Sequence, residues 1–353
     1  MARSTTQTLT LQRALAAAGF DPGALDGLYG PRTAAAASAA AAASGVAYDG
    51  SEASGAALVA SLQPAVRPQP SVVGVWVASA DWNASAAATN ARKLAALGIT
   101  DVSLVANDAS NVEASVWHLF NDGAARTVNG VRTVKRRATA TGTATAISVL
   151  RRAFDTYAAA GLRVHIMVWL RPDVAYLEAA LADLTQLCAQ FKPASVQFDA
   201  EERWITGKVT ATVLARVALL FSSLDALGVP STVTTYAGAL PDAEMRALLE
   251  VPKLAGILLQ VYATSSSDAD PGDVQQFGHI MAERYIPHTV PVAYGLPAYR
   301  QSGIDGYTPN QAMAVQLDTA LKYTLIIWYW AASSFTVDGY AAKFAADRFV
   351  KHA

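Results

Sequence analysis

Residues 163–199 read RVHIMVWLRPDVAYLEAALADLTQLCAQFKPASVQFD. RVHIMVW alternates branched aliphatic residues with larger or polar ones, the period of a strand. DVAYLEAALADLTQLCAQF then carries apolar residues at three- and four-residue spacing behind an aspartate suited to cap a helix. SVQFD returns to the strand period. Two strands joined through a helix lie parallel, because tight turns join only antiparallel strands and a parallel pair needs a crossover.

The unit recurs on both sides. The strand candidates before it are VVGVWV (72–77) and DVSLVA (101–106); those after it are STVTTY (231–236), GILLQVY (256–262), TVPVAY (289–294) and TLIIWYW (324–330). Helix-length segments such as TATVLARVALLFSSLDALG separate most of them. Eight β-α units over about 280 residues close a sheet on itself, so the expected fold is an α/β (β/α)8 barrel of the TIM type. An open, doubly wound sheet is the alternative, but no G-x-G-x-x-G follows the first strand to support dinucleotide binding. One connection is unusually long. Within it, ARTVNGVRTVKRR joins two alternating arms through Asn129-Gly130, a hairpin signal. A hairpin there would overhang the catalytic end of a barrel, where Arg132, Lys135, Arg136 and Arg137 would face either solvent or an anionic polymer.

Strand parity assigns faces. In the third strand Val164, Ile166 and Val168 suit the surrounding helices, so Arg163, His165, Met167 and Trp169 point inward. In the fourth, Val196 and Phe198 go outward, which leaves Ser195, Gln197, Asp199 and, if the strand continues, Glu201 inside; Glu202 points away. The same reasoning turns Gln260 and Tyr262 of the sixth strand inward, with Trp76 of the first, Asn107 after the second, and Trp328 and Trp330 of the eighth. Polar and aromatic residues thus gather at the carboxyl ends of the strands, where a structural barrel would carry branched aliphatics.

Two carboxylates at i and i+2 share one side of a strand, about 6 to 7 Å apart at ~3.3 Å per residue. Their repulsion raises one pKa, as a glycosidase acid requires. Glu201 is the candidate acid, and Asp199 the partner that orients it, tunes it or stabilises positive charge in the sugar. Trp76, Trp169, Tyr262, Trp328 and Trp330 offer flat faces for pyranose rings. The alternative for the carboxylates is an ion-pair network closing the barrel, and His165 reads as a hydrogen-bonded interior histidine.

Composition excludes other classes. The 353 residues carry a net charge of −1 and 52% hydrophobic residues, which allows a large core and leaves nucleic acid an unlikely partner. No run is long enough to span a membrane. The five histidines, His118, His165, His279, His288 and His352, show no H-E-x-x-H or close pair, so neither a metal nor any other cofactor is expected. No G-x-S-x-G elbow occurs, and the single cysteine, Cys188, sits at helical spacing among apolar residues as a packed thiol. A monomer is expected.

Ahead of the barrel, residues 1–62 read as a small all-α module, and 63–71, with three prolines, as a semi-stiff spacer to a domain spanning 72–353. LQRALAAAGF is a helix, DPGALDGLYGPRT a pair of tight turns, and the alanine run Ala34 to Ala43, entered through Pro31, a packed third helix. From Leu9 to about Gly50 the chain resembles the peptidoglycan-binding domain of cell-wall hydrolases: Leu11-Gln12, Leu15, Gly19, then Leu25-Asp26-Gly27-x-Tyr29-Gly30-x-x-Thr33. The resemblance implies that Asp26, Gly27, Tyr29, Gly30 and Thr33 shape a wall-binding surface, although the last helix has only alanine and serine where the family carries an aromatic or glutamine pair.

The fourth-strand Asp-x-Glu resembles both the chitinase-like glycoside hydrolases and the barrel-type muramidases, and LLQVY, VPVAYGLPAY and the eighth-strand tryptophan look chitinase-like. In the chitinase-like motif Asp-x-x-Asp-x-Asp-x-Glu, Asp199 and Glu201 match, while Gln197 and Ala194 stand at the earlier aspartates. Muramidases carry an aspartate at the end of strand one, for which Asp81 is the nearest residue. Together the resemblances imply a peptidoglycan hydrolase, an N-acetylmuramidase first and an endo-N-acetylglucosaminidase or non-catalytic wall-binding barrel as alternatives. MARSTTQTLT lacks a signal peptide's features, so the expectation is an endolysin-like enzyme, made in the host cytoplasm and released through another protein's membrane lesion.

Overall fold

The computed structural model describes residues 5–62, 69–78, 87–106, 125–128, 131–134, 140–201, 204, 209–262, 271–298, 309–330, 332–336 and 339–350. The chain divides into two compact units, Met1–Pro68 and Gln69–Ala353.

The first unit contains helices α1 (Thr5–Ala17), α2 (Pro31–Ser44) and α3 (Glu52–Leu62). The alanine run is thus the second helix in order, and the third forms from EASGAALVASL, which has no strong apolar period to announce it. Pro31 opens α2 with its preset φ, and Gly45, at φ 64°, closes it by donating to the Ala41 carbonyl. Small side chains let α2 approach closely: Ala36, Ala37, Ala40 and Ala41 pack with Leu11, Leu15 and Leu58 in one buried cluster.

The second unit opens with β1 (Val72–Val77), α4 (Ala87–Ala96) and β2 (Asp101–Val105), followed by a hairpin of β3 (Ala125–Val128) and β4 (Val131–Val134). It continues with α5 (Ala140–Ala159), β5 (Arg163–Trp169), α6 (Val174–Phe191), β6 (Val196–Asp199), α7 (Ala211–Asp225), β7 (Ser231–Tyr236) and α8 (Ala243–Leu249). Then come β8 (Leu254–Gln260), α9 (Pro271–Tyr285), β9 (Val292–Pro297), α10 (Pro309–Ala320), β10 (Ile326–Trp330), α11 (Ala332–Thr336) and α12 (Gly339–Phe349). Eight parallel strands close a barrel in the order β1-β10-β9-β8-β7-β6-β5-β2. The hairpin pairs antiparallel, Val128 opposite Val131, around Asn129-Gly130; that turn, Lys135, Arg136, Arg137 and the side chain of Arg132 lie outside the described residues.

Several strand ends sit differently from the sequence expectation: β10 begins at Ile326 rather than Thr324, β6 at Val196 rather than Ser195, and β2 ends at Val105. β9 begins at Val292, not Thr289, and runs on to Pro297, because Pro291 has no N–H to donate to a ladder while Leu296 and Pro297 pair with Tyr329 and Trp330. β8 spans Leu254–Gln260, so Tyr262 lies beyond its end.

The described side chains sort by parity. Val164, Ile166, Val168, Val196, Phe198, Ile257 and Leu259 join the large cluster between barrel and helices, whereas Trp76, Val105, Met167, Leu258, Ala293 and Trp328 form a separate one inside. Glycines make room for the tryptophans. A Cβ on Gly74 would stand 2.4 Å from the Trp328 ring, and one on Gly295 would stand 2.9 Å from Trp76. No described helix is long and apolar enough to cross a membrane.

Candidate active site

β6 carries the central carboxylate. Its neighbours in register are Met167 opposite Gln197 and Trp169 opposite Asp199 on β5, with Thr234 of β7 opposite Asp199 on the other side. The Ala200 N–H extends the ladder one residue past β6 by donating to the Thr234 carbonyl at 2.9 Å. Glu201 then leaves the strand, partly exposed, and its carbonyl accepts from the Trp204 N–H at 2.8 Å.

Asp199 is also partly exposed, yet its carboxyl is held well above the usual range. Burial is the main cause and the neighbouring Glu201 charge the second; a hydrogen bond from Gln260 opposes both. Gln260 Nε2 reaches Asp199 Oδ1 and Thr234 Oγ1, each at 3.2 Å. Burial and the Glu201 charge thus outweigh the Gln260 bond and push the Asp199 carboxyl toward its protonated form.

Beneath them lies a filled floor. Trp76 Nε1 donates to Gln197 Oε1 at 2.8 Å, so Gln197, at an aspartate position of the chitinase-like motif, is engaged with an indole. Trp76 and Trp328 pack with ring centroids 5.5 Å apart and are 1% and 3% exposed. Their faces are spent on each other and on glycine backbone, whereas Trp169, Trp330, Gln260 and Tyr262 keep partial exposure. Deeper still, His165 Nε2 stands 2.8 Å from Asp101 Oδ1 and its Nδ1 2.6 Å from Ser195 Oγ. Nε2–H donates to the carboxylate, and Nδ1 shares a hydrogen bond with the Ser195 hydroxyl. Burial works against ionisation of Asp101, but hydrogen bonds from His165, Thr100 and Arg163 hold its carboxyl below the usual range. This buried chain is part of the scaffold under the site.

One mouth residue is absent from the sequence reading. Tyr236 ends β7 opposite Gln260 and is partly exposed. The parity of STVTTY, with Thr232, Thr234 and Tyr236 on one face, carries the signal. Asn107, Asp81, Glu202 and Arg203 lie outside the described residues. Among the described residues no group of three histidine, cysteine, aspartate or glutamate side chains could hold a metal, and burial pushes the Cys188 thiol up to about 12, far from a nucleophile's range.

In the first unit, buried Gln12 organises the loop. Its Oε1 accepts from the Gly27 N–H at 2.9 Å, and its Nε2 lies within 3.2 Å of Asp26 Oδ1, the Leu28 carbonyl and Thr33 Oγ1. Gly27 has φ 76°, and a Cβ there would strike the Thr5 backbone. Asp26 Oδ1 accepts from the Leu28 N–H, the main cause of its lowered pKa. Gly30, in extended conformation, precedes α2. Leu25, Leu28 and Tyr29 are left exposed, and the Tyr29 and Tyr48 hydroxyls meet at 2.6 Å.

No known family profile and no curated protein sequence matches the chain. Solved structures do match. A chitinase from Chromobacterium violaceum superposes with a TM-score of 0.50 at 12% identity, over 80% of this chain and 99% of that one. The spore cortex-lytic enzyme SleL of Bacillus megaterium superposes with a TM-score of 0.50 at 10% identity, over 82% of this chain and 77% of that one. The likeness is one of fold: a (β/α)8 barrel with glycoside hydrolases among its structural neighbours.

Proposed function

We propose that the barrel is a glycoside hydrolase that cuts the glycan strand of bacterial peptidoglycan, with Glu201 as general acid and Asp199 as its partner. The observation that carries the reading is the carboxyl pair at the carboxyl end of β6, both members partly exposed, with burial and the Glu201 charge pushing the Asp199 carboxyl toward its protonated form. A proton held on Asp199 is available to Glu201, which donates it to the glycosidic oxygen as the bond breaks; the ionised Asp199 then faces the developing positive charge. Trp169, Trp330, Tyr262 and Gln260 line the approach, and the first unit, through Tyr29 and the Asp26-Gly27 turn, holds the enzyme to the wall. Tethering of that kind raises the local concentration of active sites at an insoluble polymer.

The first reading of specificity is an N-acetylmuramidase. One observation favours the second, an endo-N-acetylglucosaminidase: Gln260 pins an aspartate directly beside the acid, which suits a substrate whose own acetamido group attacks the sugar. Mass spectrometry of digested purified walls separates them. New reducing-end muramic acid supports the first, new reducing-end glucosamine the second, and released peptide stems reject both. Glu201→Gln should lower the rate about 10²- to 10⁴-fold; wild-type lysis by that variant would instead point to another acid, and no lysis by the wild type to a wall-binding barrel without hydrolysis.

A further inference from the structure

We infer that Trp204 is a positioning residue that sets where Glu201 points, by fastening the turn after β6 to the end of β5. The inference rests on the reading of Glu201 as the acid.

The barrel's own ladder stops holding β6 at Ala200, whose N–H is bonded to Thr234. Beyond it the chain needs other anchors, since a carboxylic acid on an untethered turn would sample positions far wider than proton transfer tolerates. A misplacement of about 1 Å can cost on the order of 10²-fold in rate. Trp204 supplies two such anchors. Its backbone N–H closes the turn onto the Glu201 carbonyl at 2.8 Å, and its indole Nε1 donates to the Leu170 carbonyl at 3.0 Å.

Leu170 is held from the other side too. Its N–H donates to the Asp199 carbonyl at 2.7 Å. One residue just past the end of β5 therefore grips the chain before Glu201, through its N–H to Asp199, and after it, through its carbonyl to Trp204. The preceding carbonyl, of Trp169, accepts from the Tyr176 hydroxyl of α6, which fixes the strand end to its helix. Trp204 itself is fully buried, in the cluster between barrel and helices. A large apolar ring on one side of the turn thus anchors a partly exposed carboxylate on the other.

The test compares Trp204→Phe, the isostere in which benzothienylalanine replaces Trp204 and only the N–H is lost, Tyr176→Phe, and Glu201→Gln, all in the full chain. Solubilised peptidoglycan strands serve as substrate, and kcat, KM, the pH profile and thermal unfolding are measured. The expected result for both Trp204 replacements is a kcat lowered about 10- to 100-fold, KM within about twofold, and a displaced acidic limb of the pH profile, because the Asp199–Glu201 coupling changes with their separation. Tyr176→Phe, which removes a tether on β5 but none on the turn, should lower thermal stability and leave the pH profile in place. The isostere keeps the ring's shape, so it answers the question even if the phenylalanine variant folds poorly. A wild-type kcat and pH profile for the isostere, with Glu201→Gln inactive, would overturn the positioning role alone. Wild-type activity of Glu201→Gln would overturn the assignment of the acid and this inference with it.

Discussion

Gln260 of β8 donates to Asp199 of β6 across 3.2 Å, bridging β7 by way of Thr234, and this bond favours the charged form of Asp199 against burial and the Glu201 charge. Replacing Gln260 by leucine removes that support and leaves burial and Glu201 unopposed, so the pKa of the pair should rise. The acidic limb of kcat/KM should move to higher pH, with activity at neutral pH down about tenfold. A pH profile on solubilised glycan strands measures it, and an unmoved limb would detach Gln260 from the chemistry.

Asp199 also predicts a pH dependence of stability. Its folded pKa is raised, so above the ordinary carboxylate range, from about pH 4 upward, the folded chain keeps a proton that the unfolded chain has released. Stability contributed at low pH is therefore lost as pH rises toward the folded value. Asp199→Asn cannot ionise and should show a flatter stability–pH curve, more stable than wild type at neutral pH and much less active. Urea unfolding of both proteins at several pH values tests the sign.

The tryptophan floor divides into structural and exposed members. Trp76→Phe strips the hydrogen bond from Gln197, itself 1% exposed, and leaving that amide oxygen unpaired should cost about 1–3 kcal/mol. Trp330→Ala touches a partly exposed ring, so its effect should fall on substrate, with KM up about tenfold, worth about 1.4 kcal/mol. Thermal unfolding and steady-state kinetics on both variants would show the effects exchanged if the floor were drawn wrongly.

Gly74→Ala should be destabilising out of proportion to its size. The added methyl would fall 2.4 Å from a Trp328 ring that is 3% exposed and has nowhere to go. Overpacking of this kind costs about 1–3 kcal/mol. Tryptophan fluorescence during unfolding reports both the loss of stability and the displaced ring.

In the first unit, Gln12→Ala removes the side chain that holds Gly27, Asp26, Leu28 and Thr33 together. Losing these buried bonds should cost about 1–3 kcal/mol locally and reduce sedimentation of the full chain with purified walls. Unchanged co-sedimentation would separate this loop from wall binding.

Much of the barrel was legible in the chain itself. The period of two in RVHIMVW and SVQFD, broken by a helix-length segment, dictates parallel strands, and its repetition dictates closure. Parity then sorted Val164 from His165 and Phe198 from Gln197, because a residue facing helices must be aliphatic while one facing the lumen need not be. Strand ends were less legible: Pro291 delays β9 because a missing N–H matters only once a neighbouring strand awaits it. Helix α3 was silent because its alanine-rich sequence has little amphipathic contrast.

What only the tertiary structure decided is how those inward residues divide the lumen. Sequence marks Trp76, Trp328 and Trp330 alike as inward-facing; depth in the barrel, with Gly74 of β1 beside Trp328 and Gly295 of β9 beside Trp76, buries two and leaves the third partly exposed. Sequence likewise puts Asp199 two residues from Glu201. That the Asp199 carboxyl is pushed up follows from desolvation and from the Glu201 charge, against the opposing bond of an amide 61 residues away on another strand, and desolvation is a property of the closed barrel that no local spacing contains.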